Sequence, residues 1–177
     1  TGERYLWGWP RVKQAFKELD ESKINYEAIY SASWIHSSGM AMVHDTSARA
    51  AIINIFRKAH ERGIKTSFDL NLRVDDGHLD PVYKEAVLEV MKYSNYVLGS
   101  ADEEFRYLGE SNDPLKNARA FVTEDRTIIA RMGKKGSVGI SKNEEIMAEA
   151  FEVEVVDTVG AGDVYNAGFI AAVLNGY

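Results

Sequence analysis

Val155-Val156-Asp157-Thr158-Val159-Gly160-Ala161-Gly162-Asp163 reads as a strand that stops at an aspartate, a tight glycine turn and the first turn of a helix. The uncharged segment that follows, Val164-Tyr165-Asn166-Ala167-Gly168-Phe169-Ile170-Ala171-Ala172-Val173-Leu174, predicts a buried helix. Backbone N–H groups at a helix N-terminus lack partners inside the helix, and the positive end of the helix dipole lies there, so the turn suits anionic oxygens. Phosphate is the natural guest. A carboxylate at the same spot repels phosphate, so Asp163 needs a chemical reason, and the best one is a proton to be accepted.

Upstream of this turn the chain alternates strand and helix patterns. Tyr26 to Tyr30 and Trp34 to His36 read as buried strand material that ends at Ser37-Ser38-Gly39. Asp45 or Thr46 caps a helix with Ala48, Ala51, Ile52, Ile55, Phe56 and Ala59 on one face, and Gly63 closes it. Ile64 to Leu70 follows as a strand, then a helix over Pro81 to Tyr93, a strand over Tyr96 to Leu98, and helices over Asp102 to Leu108 and Pro114 to Val122. Thr127 to Met132, Gly136 to Ile140 and Ile146 to Val156 are strands joined by turns too short for a crossover, and therefore antiparallel. At the front, a helix is expected from Pro10 to Leu19, and the aromatic-rich residues 1–9 suggest a β-ribbon that packs on the body or covers a ligand as a lid.

The fold class is therefore α/β, a mostly parallel, helix-flanked sheet with antiparallel strands towards the C-terminal half, read as a single domain over residues 1–177. Ligands collect at the carboxyl ends of such sheets, and Asn71, Arg73, Ser100, Gly133 and Gly160 fall at those ends. The formal net charge of -6 argues against nucleic acid and acidic membrane surfaces as partners, since both would repel it. Without cysteine, thiol chemistry and cysteine metal sites are excluded. No charge-free run is long enough to span a bilayer, and a cytoplasmic location is expected. The chain begins at Thr1 and ends just past a helix, and is expected to be a piece of something longer.

Two common phosphate motifs fail here. A dinucleotide fingerprint needs a third small residue where Tyr165 stands, and a Walker loop needs a hydroxyl and an upstream glycine that Gly133-Lys134-Lys135-Gly136 lacks. What remains, Asp157-Thr158-Val159-Gly160-Ala161-Gly162-Asp163 with Ala167-Gly168-Phe169 after it, resembles the C-terminal signature of the ribokinase-like (PfkB) carbohydrate kinases. Other parts fall in that family's order: His36-Ser37-Ser38-Gly39 after a strand, Asp69-Leu70-Asn71-Leu72-Arg73 as Asp-x-Asn-x-Arg, and Gly133-Lys134-Lys135-Gly136-Ser137 as Gly-x-x-Gly. The family's sugar-binding segment would precede Thr1 and its adenine-lining helices would follow Tyr177, so the resemblance covers the central and C-terminal core.

The resemblance implies ATP-dependent phosphorylation of a sugar or sugar-acid hydroxyl, with Asp163 as base and the N–H groups of Ala161, Gly162 and Asp163, entered through Gly160, as the anion hole. It places Asn71 and Arg73 near phosphates or substrate, and Gly133, Lys134 and Gly136 near the nucleotide phosphates. Glu104 would organise Mg2+ through water, although Ala101 stands where the family has asparagine. Asp157 and the Val159 carbonyl match positions that hold a monovalent cation, K+, in some members. A homodimer is a further expectation.

Blander readings stand beside these. Asp69 and Arg73 suit a strand-end salt bridge as well as they suit a ligand, and Lys134 and Lys135 suit a hydrated turn. His36, His44, His60 and His78 have no metal-ligand spacing, and Asp75, Asp76 and Asp80 lack the rest of a calcium loop. For the whole chain the competing function is a catalytically silent nucleotide-binding or assembly module of the same fold.

Overall fold

Short apolar runs that end in polar residues build the parallel part of one sheet: β1 (Trp34–Ser38), β2 (Lys65–Asp69), β3 (Tyr96–Ser100) and β4 (Thr127–Arg131). The antiparallel strands β5 (Ser137–Ile140) and β6 (Glu145–Ala148) complete a six-stranded sheet in the order β1-β2-β3-β4-β5-β6. The computed structural model describes residues 19–177, so the aromatic segment and the expected helix from Pro10 lie outside the described residues. Two compact units are present, one within Lys13–Ala150 and one that includes Phe151–Tyr177.

In the larger unit, parallel neighbours need crossovers, and the helices supply them. α1 (Tyr26–Tyr30) precedes β1, α2 (Ser47–Glu61) links β1 to β2, and α3 (Pro81–Lys92) links β2 to β3. A π turn (Ala101–Phe105), α4 (Arg106–Leu108) and α5 (Pro114–Arg119) lie between β3 and β4. The expected strand over Tyr26 to Tyr30 is thus a helix. Asn25 caps it by accepting from the Ala28 N–H at 3.0 Å, and Tyr26 and Tyr30 stack across one turn with centroids 6.0 Å apart. Thr46 is the N-cap of α2 without a side-chain bond, and Asp45 pairs with Arg49 at 3.8 Å instead. At the other end the Gly63 and Ile64 N–H groups bond to the His60 and Ala59 carbonyls, the Schellman closure the glycine signalled.

The core lies where α2 and α3 meet the strands. Phe56, Tyr83, Val87, Val90 and Met91 come from the helices, and Phe68, Val97, Ile128 and Val138 from the sheet. Phe56 meets Phe68 edge to face at 6.0 Å, the arrangement aromatic quadrupoles favour. Tyr83 spends its hydroxyl on the Gly39 carbonyl at 2.9 Å, so α3 holds the turn that follows β1. None of the helices among the described residues is long and apolar enough to cross a membrane.

The smaller unit departs most from expectation. β6 stops at Ala148, and Phe151 to Val156 form no strand, with Phe151 92% and Val156 94% exposed. The segment alternates apolar and acidic residues as a strand would, but among the described residues no strand pairs with it, and β propensity without a partner does not make a strand. α6 (Ala161–Leu174) forms as expected, yet only Asn166 is buried along it, and Val164 is 74% exposed. Its apolar residues run round the whole helix, so no single packed face is selected.

Two glycines in the turn after β4 separate conformational from steric cost. Gly133 has φ +56° and open space around it, whereas Gly136 has φ +89° and a Cβ there would lie 1.9 Å from the Ala148 carbonyl oxygen. Gly133→Ala should cost about 1 kcal/mol and Gly136→Ala about 3 kcal/mol or more. Urea denaturation of both variants checks this, and equal costs would show that the β6 backbone does not limit the turn. Tyr83→Phe should cost about 1–2 kcal/mol at neutral pH by stranding the Gly39 carbonyl. Burial pushes the Tyr83 phenol up to about 12 from its ordinary 10.0. Below about pH 10 the phenol is protonated in both states, and above it only the unfolded chain ionises, so Tyr83 loses its contribution as pH rises towards 12. Urea midpoints should therefore fall more steeply between pH 9 and pH 11.5 for wild type than for Tyr83→Phe.

Candidate active site

The carboxyl ends of the parallel strands finish in two steps, Ser38 opposite Asp69 and Ser100 opposite Arg131, with Asp69 opposite Leu98 so that β3 and β4 run two residues further. In the larger unit this edge carries an ion cluster. Arg131, the last residue of β4, places its Nη2 3.0 Å from Asp69 Oδ1 and 3.5 Å from Glu104 Oε2. Both acids are buried, Asp69 at 3% exposure and Glu104 at 7%. Glu104 also accepts two backbone bonds, from the Leu72 N–H at 2.8 Å and the Ser100 N–H at 2.5 Å. Burial pushes its carboxyl above the usual range and the charge of Asp69 adds to this, against the Ser100 and Leu72 bonds and Arg131, which favour the ionised form.

Local structure explains how Glu104 gets there. The Ser100 hydroxyl caps the turn by accepting from the Glu103 N–H at 3.2 Å, and the Arg106 N–H reaches back to the Ala101 carbonyl. That wide π turn returns Glu104 over the end of β3. Gly99 leaves room for it, since a Cβ at that position would lie 2.6 Å from Leu70 Cδ1 and 3.1 Å from Glu104 Oε2.

The loop after β2 carries the expected Asn71 and Arg73. Asn71 is left-handed at φ 33°, and its Oδ1 accepts from Arg73 Nη1 at 2.7 Å. The strand-end salt bridge between Asp69 and Arg73 is not formed: Arg73 is held by Asn71, and Asp69 is paired with Arg131. Arg131 is the residue that sequence reasoning missed. Its only signal was a charge at the end of an otherwise apolar strand.

Directly after Arg131 comes the Gly133-Lys134-Lys135-Gly136 turn, closed by the Gly136 N–H on the Gly133 carbonyl at 3.0 Å and by the Met132 N–H on the Gly136 carbonyl at 2.8 Å. His36, by contrast, contacts the Ser67 hydroxyl at 2.7 Å, and Gly39 packs so closely that a Cβ would lie 2.0 Å from the Leu70 carbonyl oxygen. His36-Ser37-Ser38-Gly39 is therefore accounted for by packing.

In the smaller unit the Asp157 Oδ1 accepts from the Val159 N–H at 2.9 Å, which folds the chain into the glycine turn. Gly160 is the N-cap of α6 at φ +78°, with no side-chain cap bond, and Asp163 lies exposed in the first helical turn. The Ala161 N–H, an expected anion-hole donor, closes the turn on the Thr158 carbonyl at 3.2 Å.

A carboxylate offers about four acceptor sites, and three of those on Glu104 are taken by Leu72, Ser100 and Arg131. One remaining site fits a water held by Mg2+, an ion that keeps several waters and takes its other contacts from substrate phosphates. Direct ligation by Glu104 does not fit.

Comparison with known proteins bears on the family and the fold. The chain is 30% identical over 166 residues to 5-dehydro-2-deoxygluconokinase of Bacillus subtilis, covering 89% of this chain and 49% of the relative. It is 26% identical over 166 residues to fructokinase-2 of Oryza sativa, covering 93% of this chain and 49% of the relative. The chain thus spans about half the length of these relatives. Its fold matches a structure of a putative ribokinase II from E. coli in complex with ATP and Mg2+, with TM-score 0.76 and 21% identity over 90% of this chain and 51% of that one. The pattern of the pfkB family carbohydrate kinases matches residues 3–177, and the chain belongs to that family.

Proposed function

We propose that the protein transfers the γ-phosphoryl group of ATP to a hydroxyl of a sugar or sugar acid. The observation that carries this reading is a carboxylate, Asp163, in the first turn of a helix whose N-cap is a left-handed glycine with no capping side chain. That combination offers a proton acceptor beside donors for an anion. Asp163 would take the proton of the acceptor hydroxyl as its oxygen bonds to the γ-phosphorus and the bond to the β-phosphate oxygen breaks, which releases ADP. The Ala161, Gly162 and Asp163 N–H groups would meet the negative charge of the transferred group, that of Ala161 by opening its turn bond to Thr158. Because phosphoryl transfer is mostly positioning and charge stabilisation, donors fixed by a helix need little rearrangement.

On the larger unit, Asn71 and Arg73 would meet the phosphates or the acceptor, and Gly133, Lys134 and Gly136 the nucleotide. Mg2+ would neutralise charge on the β and γ oxygens, with Glu104 orienting one of its waters. Asp157 and the Val159 carbonyl would hold a monovalent cation beside the turn. Support for a sugar or sugar acid as acceptor comes from relatives that are a fructokinase and a deoxygluconokinase.

Asp163→Asn keeps the shape of the turn and removes the base. Phosphorylation across a panel of ketoses, aldoses and keto-deoxy sugar acids should fall by about 10²–10⁴-fold, while nucleotide affinity measured by calorimetry holds. Unchanged turnover in this variant would sink the assignment of the base. Tight nucleotide binding by wild type with no turnover of any acceptor would favour a silent binding module.

A further inference from the structure

We propose that Arg131 is a positioning residue of the phosphate side of the site. Bonded to Asp69 and Glu104 at once, it locks three strand ends together and thereby holds the loop 70–73 that presents Asn71 and Arg73. The inference rests on the kinase reading only in taking these strand ends to be where the nucleotide binds.

The connections run through ion pairs and hydrogen bonds. Arg131 ends β4, Asp69 ends β2, and Glu104 follows β3, so one guanidinium nitrogen joins the ends of three parallel strands. Glu104 extends the linkage by accepting from the Leu72 N–H, the middle of the loop, and from the Ser100 N–H at the end of β3. The loop needs such an anchor. Asn71 sits at φ 33°, a conformation that non-glycine residues keep only when their surroundings enforce it, and Arg73 is aimed by its bond to Asn71.

Removing Arg131 leaves two buried carboxylates facing each other without a counter-charge. They would move apart, which loosens the Leu72 bond and frees Arg73 from its present direction. The same loss makes the strand ends more negative, which opposes a polyphosphate. Both effects weaken binding at the phosphate side and leave Asp163, on α6 of the other unit, to act as before.

The test uses the whole protein with Arg131→Gln, Arg131→Lys and Asp69→Asn, read by calorimetric affinity for ADP with Mg2+, by KM and kcat for ATP, and by melting temperature. Arg131→Gln should weaken nucleotide affinity and raise KM by about tenfold or more, with kcat changed by less than about threefold. Arg131→Lys keeps the charge but not the fork, and should recover part of the affinity. Asp69→Asn in the Arg131→Gln background should add much less than it does alone, because the two act through one contact. A lower melting temperature with unchanged affinity and KM would overturn the proposal and leave Arg131 a stabilising residue only. Should Arg131→Gln fail to fold, wild-type affinity in both Arg131→Lys and Asp69→Asn would overturn it equally. If no sugar is phosphorylated by wild type, the kinase reading fails, and the ADP affinities still decide for or against Arg131.

Discussion

One guanidinium shared between two buried carboxylates sets the terms for the carboxyl ends of the parallel strands. Two acids at 3% and 7% exposure are costly to bury unless paired and hydrogen-bonded, and a single arginine is shared between them. The backbone adds to it: the Leu72 and Ser100 N–H groups both donate to Glu104. Those two bonds dictate local geometry on either side. For Ser100 to donate, the chain after β3 must turn back on itself, and the π turn does this. For Leu72 to donate, the chain after β2 must bend sharply, and Asn71 adopts its left-handed conformation to allow it. Electrostatics at one point thus explains the two least regular pieces of backbone near the strand ends.

Close packing makes the arrangement possible. Leu70 runs between β1 and β3 with its carbonyl oxygen where a Cβ on Gly39 would be and its side chain where a Cβ on Gly99 would be. Both glycines are thus spacers around one leucine. The pattern bears on how glycine motifs are read. Gly39 lies in a segment that matches a family motif, yet its lack of a side chain is explained by Leu70 and by the Tyr83 hydroxyl on its carbonyl. Gly160 is different, since nothing lies within 4 Å of a Cβ there and only its φ of +78° calls for glycine.

The alternation of elements was legible because amphipathic helices and buried parallel strands have different periods, and because Gly63, Pro81 and Pro114 mark helix ends by local chemistry. The Asp-x-Asn-x-Arg loop and the glycine turn into α6 were legible for the same reason, being consecutive in sequence. Arg131 was not, because its partner Asp69 lies 62 residues away and a salt bridge of that span leaves no local trace. The π turn escaped too: its composition is that of an ordinary helix start, and only the demand of Glu104 for the strand-end donors widens it. Tyr26 to Tyr30 misled because β-prone tyrosines and isoleucine outweighed the Asn25 cap. Val155-Val156 misled in the opposite way, having strand composition but, among the described residues, no strand to pair with.

The three acids in question differ in what their lone pairs can still do. Asp69 and Glu104 are committed, to Arg131 and, for Glu104, to two backbone donors. Such groups hold the strand ends together. Asp163 has the opposite surroundings, being exposed at the positive end of a helix. The helix dipole favours a carboxylate there only modestly, by about 0.3–1 kcal/mol. The strand ends of the larger unit thus carry a fixed ion cluster, whereas Asp163 stands exposed in the first turn of α6. That difference is why the charged strand ends and the glycine turn have to be read as separate devices.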